Sequence, residues 1–251
     1  MSRATAFKAV LFDLFDTLVI FDRDRLPVLD VNGRQVRSTV GHLHAILRDH
    51  APDVTLGACY DALIWSWHQA ERERAIDHRE VPAPQRFASW LARLEVDPAA
   101  CPADLVPTLL EAHRRELSKA AEFPVHHASV LRRLAQRFRL AVVSNFDYTP
   151  TATGILETAG VAELFDVIVV SDEVGWRKPK AEIFEVALRS LHVPPGEALF
   201  VGDRADIDVV GAQGVGMPVA WINRDRQALP AGIAPPDFEI TDLAELLPIL
   251  E

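Results

Sequence analysis

Cysteine is almost missing from this chain: Cys59 and Cys101 are the only two in 251 residues. That is too few for a disulfide framework or a four-thiolate zinc site, so a reducing cytoplasm is the expected setting. Positive charge is also scarce. Lys and Arg total 26 against 36 Asp and Glu, a formal net charge of −10. A nucleic-acid partner held by its phosphate backbone calls for a Lys/Arg surplus, so none is expected. A small phosphorylated ligand needs only one local cation, and the deficit leaves that class open. Long apolar runs are lacking too, with nothing near the roughly 18 consecutive apolar residues of a membrane span. Arg3 and Lys8 precede an apolar stretch, Val10–Phe21, in the manner of a secretory signal. Asp13 and Asp16 interrupt it, however, and no small-residue cleavage pattern follows. No membrane association and a cytoplasmic location are therefore expected.

What is present is ordinary globular material, 49% hydrophobic and 25% charged. The length suits one large or two unequal domains and can bury a sizeable core without staples. Short continuous apolar runs recur at Ala9–Phe12, Leu140–Val143, Val167–Val170, Leu199–Val201 and Val219–Ile222. Continuous rather than alternating runs mark strands covered by helices on both faces. From Leu140 onward they alternate with helix-like stretches such as Ala181–Leu191 and Asp206–Gln213, the rhythm of a parallel sheet. Residues 40–138 differ. They hold no convincing strand but several amphipathic stretches: Leu56–Ala75 with Leu63, Trp67 and Ala70 at helical spacing, then Phe87–Leu94 and Leu105–Leu117. Asn32-Gly33 within Phe21–Arg37 is a strong hairpin-turn dipeptide. The expected fold is α/β: a doubly wound, Rossmann-like parallel core, residues 1–20 and 125–251. An inserted helical cap with a β flap (about 21–37) occupies 21–124. Trp65, Trp67 and Trp90 are expected in the cap core. Arg72, Arg74, Arg79, Arg86 and Arg93, interleaved with Glu71, Glu73 and Glu80, are expected on a solvated face.

Polar residues follow four of the apolar runs. Asp13 ends the first, Ser144-Asn145 the second, Lys178-Pro179 lies in the loop after the third, and Gly202-Asp203 with Asp208 follows the fourth. Ligands of open parallel sheets bind at the carboxyl ends of strands. Taken singly, each has a plain structural role: a helix cap or turn for Asp13, Ser144 and Asn145, a solvated lysine, a first-turn acid for Asp208.

Together and in this order, the four resemble the motifs of the haloacid dehalogenase-like hydrolase superfamily: Asp-x-x-x-Thr, a strand-end Ser/Thr, a Lys often followed by Pro, and an acidic Gly-Asp loop. The resemblance covers about residues 7–223, and the insertion after the first motif matches the C1 type of cap. It implies Asp13 as nucleophile, with Ser144, Asn145 and Lys178 holding the substrate phosphoryl group. It also implies Mg2+ bound by Asp13, Asp203 and the main-chain carbonyl of Phe15, with Asp208 as a more distant or water-mediated ligand. The physical logic agrees. A carboxylate attacking a phosphoryl dianion needs a bridging divalent cation, and Mg2+ is usually held by one or two carboxylates plus substrate phosphate. The expected function is Mg2+-dependent hydrolysis of a small phosphorylated metabolite through an aspartyl-phosphate intermediate.

One position departs from the phosphatase pattern. Most phosphatases of the superfamily carry a second Asp two residues after the nucleophile, as general acid and base; here that residue is Phe15. Asp16, one place further on, is not a positional substitute. Haloacid dehalogenases carry an aromatic residue there, which makes metal-independent 2-haloacid dehalogenation by Asp13 the alternative. Asp203 stands against it, because dehalogenases have a Ser/Asn-type loop at that point. A third reading is a catalytically weak binding protein on the same fold.

Overall fold

The computed structural model describes residues 7–250. Two compact units divide the chain: one runs up to Phe21 and resumes at Glu122, the other is Asp22–Ala121. In chain order, β1 (Ala9–Phe12) and β2 (Ile20–Phe21) precede the inserted unit. That unit holds β3 (Val28–Val31), β4 (Arg34–Arg37), α1 (Val40–Leu47), α2 (Leu56–Asp77), α3 (Ala83–Arg93) and α4 (Leu105–Ala120). After β5 (Ala121–Glu122) come α5 (Val125–Leu134), β6 (Arg139–Ser144), α6 (Thr149–Thr158), β7 (Val167–Val170), α7 (Ser171–Val174) and α8 (Ala181–Leu191). The chain ends with β8 (Ala198–Gly202), α9 (Val210–Gly214), β9 (Val219–Ile222), β10 (Phe238–Ile240) and α10 (Leu246–Leu250).

The first unit is a doubly wound, Rossmann-like α/β core. Its six strands run in the order β10-β9-β8-β1-β6-β7, every pairing parallel. All residues of β1 and β8 are buried, as a sheet covered on both faces requires. On one face Leu11, Val143, Phe200 and Trp221 join Phe184 and Leu188 of α8 in a single apolar cluster. On the other, Phe12 meets Phe165 edge-on at 6.4 Å. Register aligns the chemistry: Phe12 lies opposite Val142 on β6 and Val201 on β8. The residues that follow those three strands therefore share one rim. Strand β10 was not expected, and its Phe-Glu-Ile is short and interrupted by charge. It forms because Phe238 and Ile240 pair beside Ala220 and Ile222.

The inserted unit combines a hairpin with four helices. Asn32 and Gly33, with φ of 54° and 80°, make the two-residue turn between β3 and β4; both positions need the left-handed region. Asp30 Oδ1 accepts the Gly33 amide at 2.9 Å. Upstream of the hairpin, Arg23–Arg25 is a helical turn rather than flap strand. Helix α2 buries Cys59, Ala62, Leu63, Ser66, Ala70 and Arg74, a stripe that passes through Ser66 rather than Trp67. Trp67 is 47% exposed, and Ser66 satisfies its hydroxyl by donating to Leu63 O at 2.8 Å. Trp90 is the fully buried tryptophan, its indole N–H donating to Cys59 O at 3.0 Å. The charged face is also not all solvated. Arg74 and Arg86 are buried. Arg74 donates to Glu80 at 2.8 Å, to Glu71 at 2.6 Å and to Val81 O at 3.0 Å, the pairing a buried cation demands. Among the described residues, no helix is long and apolar enough to cross a membrane.

Candidate active site

Asp13 is the first residue beyond β1, and its amide still donates to Val201 O at 2.9 Å, extending the ladder by one rung. The chain then folds sharply. Leu14 O accepts both Leu18 N and Val19 N at 2.9 Å, and Asp16 takes a left-handed φ of 57°. Asp13 is thus held on the rim with its side chain buried. Ser144, the last residue of β6, is fully buried, and its Oγ has no hydrogen-bond partner among the described residues. An orphaned buried hydroxyl is costly in a finished core and serves a ligand well.

Lys178 is almost wholly buried, with Nζ 2.5 Å from Asp13 Oδ1 and 2.8 Å from Asp208 Oδ1. Asn145 fixes that loop: its side-chain N donates to Lys178 O at 3.0 Å and its Oδ1 accepts Lys178 N at 2.7 Å. Its carboxamide thus ties the end of β6 to the loop that carries Lys178.

Asp203 follows β8, and Asp208 is set by an unusually wide, π-type turn over Ala205–Val209, a distortion frequent at functional sites. Arg204 O accepts Asp208 N at 2.6 Å, while Asp208 Oδ2 accepts Arg204 N at 3.0 Å. Gly202 makes room for it. A Cβ at 202 would come within 2.5 Å of the Asp208 side chain, so no other residue fits without moving that carboxylate.

Carboxylate oxygens of Asp13, Asp203 and Asp208 lie within 4.8 Å of one another. Three acids and one ammonium leave a negative surplus in a largely buried place. Burial, with the Asp208 charge adding and Lys178 opposing, pushes Asp13 up to about 6. Asp203, raised by burial and then by Asp13 and Asp208, reaches about 7. Lys178 stays high: burial works against its charge, but Asp13 and Asp208 outweigh that. An all-oxygen donor set with surplus negative charge fits a hard divalent cation, Mg2+ above the softer metals. Beside it opens a cleft of about 370 Å³ whose lining includes Asp16, Asp203, Arg204, Trp221 and Arg224.

Two residues at the end of β9 were not singled out in the sequence. Trp221 donates its indole N–H to Asp203 O at 2.7 Å. Arg224 donates to the main-chain carbonyls of Asp16 and Thr17, the latter at 3.1 Å. One strand end thus ties down both acidic loops. Only the apolar run Val219–Ile222 hinted at it. The pair His126-His127, without partners nearby in sequence, meets one from far along the chain: His126 Nε2 is 2.9 Å from Asp242 Oδ2. His127 Nδ1 is engaged with Leu18 O at 2.9 Å.

A family model described as haloacid dehalogenase-like hydrolase matches residues 7–216. Pyrimidine 5'-nucleotidase YjjG of Escherichia coli (strain K12) is 30% identical over 166 residues, 66% of this chain and 69% of that protein. A glyceraldehyde 3-phosphate phosphatase of Pyrococcus furiosus is 27% identical over 246 residues, 97% of this chain and 93% of the other. The crystal structure of a 2-haloacid dehalogenase from Pseudomonas syringae pv. Tomato DC3000 superposes with a TM-score of 0.67 at 25% identity. It covers 97% of this chain and 98% of its own.

Proposed function

Because the chain belongs to the haloacid dehalogenase-like hydrolases, we propose that it is a Mg2+-dependent phosphatase of small phosphorylated metabolites, with Asp13 as nucleophile. The observation that carries this reading is the cluster Asp13, Asp203 and Asp208 around a single buried lysine. Asp203 bears most of the weight, since a haloacid's own carboxylate would be repelled by an uncompensated acid there.

In this reading Asp13 attacks phosphorus and forms an aspartyl phosphate, which water hydrolyses in a second step. Lys178 neutralises a phosphoryl oxygen and orients Asp13. Ser144 Oγ, its hydrogen unclaimed among the described residues, donates to another oxygen. Asp208 holds Lys178 in place. Mg2+, bound by Asp13, Asp203 and the carbonyl of Phe15 with Asp208 behind them, would offset the charge of nucleophile and substrate as they meet.

Phosphate release from an aryl phosphate tests the proposal. It should require Mg2+, stop with chelator, and vanish in Asp13→Asn. Equal rates with and without chelator, or an active Asp13→Asn protein, refute it. Phe15 favours a second reading, 2-haloacid dehalogenation, because halide leaves without protonation. Halide release from 2-chloropropionate that ignores chelator would replace the first reading by the second.

A further inference from the structure

The residue two places after the nucleophile sits in an aromatic cluster. The Phe15 ring lies 4.9 Å from that of Phe146, tilted by 33°, and 5.8 Å from that of Phe21, edge-on at 86°. Phe146 is itself pinned. Its amide donates to Ser171 Oγ at 3.0 Å, and the same hydroxyl donates back to Phe146 O at 3.1 Å. A phenyl ring carries no transferable proton, and packing of this kind holds it in position. The nearest carboxyl along the chain, Asp16, accepts the Phe21 amide on Oδ1 at 3.1 Å.

We propose that this enzyme is selective for phosphoryl donors whose leaving group departs as a stable anion, acyl and aryl phosphates, over alkyl monoesters. The inference rests on Asp13 attacking phosphorus. In the first step the Asp13 oxygen–phosphorus bond forms and the phosphorus–leaving-group bond breaks, its electron pair going to the departing oxygen. A carboxylate or phenolate holds that pair unaided; an alkoxide needs a proton that Phe15 does not have. In the second step water adds to phosphorus and the Asp13 oxygen leaves with its pair. The products are the free carboxylate and dihydrogen phosphate, both water protons remaining on the phosphate. A placed acid contributes about 10²–10⁴-fold and evens out leaving groups of different basicity. Without one, intrinsic reactivity decides.

The test is kcat/KM with Mg2+ for acetyl phosphate, a series of substituted phenyl phosphates and glycerol phosphate. A steep fall with leaving-group basicity is expected, with glycerol phosphate about 10²-fold or more below the others. Phe15→Asp should raise the glycerol phosphate rate far more than the phenyl phosphate rates. Should that variant fail to fold, the wild-type series decides alone. Comparable kcat/KM for alkyl and aryl donors overturns the inference while leaving the phosphatase reading intact. Acetyl phosphate no better than glycerol phosphate, with phenyl phosphates fast, also overturns it, because ring binding would then set the preference. No phosphate from any donor refutes the phosphatase reading and this inference with it.

Discussion

At the scale of single residues, the site is a problem in charge. Three carboxylates converge and one ammonium answers them, so each member is most informative through what its removal leaves behind. Lys178→Met strands buried acids. Loss of one partner from a buried pair costs about 3–5 kcal/mol, so metal-free Lys178→Met should melt well below the wild type and show no turnover. Thermal unfolding in chelator and a phosphate-release assay check both outcomes; an active variant would remove Lys178 from the mechanism. Ser144→Ala should leave the melting temperature nearly unchanged, since its Oγ has no partner among the described residues to lose. It should lower kcat by about 10²-fold, as expected for one lost hydrogen bond to developing charge. Much of this was legible in the sequence, because Asp13, Ser144 and Asp203 each stand at the end of a continuous apolar run. The tie from the Asn145 side chain to the Lys178 loop was not readable. That contact depends on a neighbour 33 positions away.

At the scale of elements, strand ends do the positioning. Apolar runs gave β1, β7 and β9 their full extents, and the helix-like stretch Ala181–Leu191 is α8 in full. Spacing failed where burial was decided by partners. Trp67 and Ser66 are adjacent on α2, and the stripe buried the smaller one. Arg74 is buried because Glu80 and Val81 O receive it, a contact no periodicity encodes. Trp221 and Arg224 belong to the same class. Trp221→Phe removes the hydrogen bond to Asp203 O and keeps most of the apolar volume. It should raise the Mg2+ concentration for half-maximal activity several-fold with a smaller change in substrate KM, since partners of metal ligands commonly affect affinity by about 10–100-fold. Mg2+ titration of the rate checks this; an unchanged Mg2+ requirement would reduce the contact to packing.

At the scale of the whole molecule, the acidic cluster couples stability to pH. Asp13 at about 6 and Asp203 at about 7 lie above their unfolded values. The folded protein therefore binds more protons than the unfolded one, and metal-free stability should fall as pH rises through that range. On the proposed function Mg2+ would bind the ionised carboxylates, so its stabilising effect should be small near pH 5 and large near pH 8. Melting curves with Mg2+ and with chelator across this range check the sign. A Mg2+ gain that shrinks as pH rises would contradict the cluster as the binding site.

The most direct measurement is to trap the covalent intermediate. Protein mixed with Mg2+ and acetyl phosphate, quenched in acid within the first turnovers and digested, should yield one peptide heavier by a single phosphoryl group. The modification should lie on Asp13 and be absent in chelator and in Asp13→Asn. Phosphate released while Asp13 stays unmodified, or a phosphoryl group found on another residue, would contradict the account.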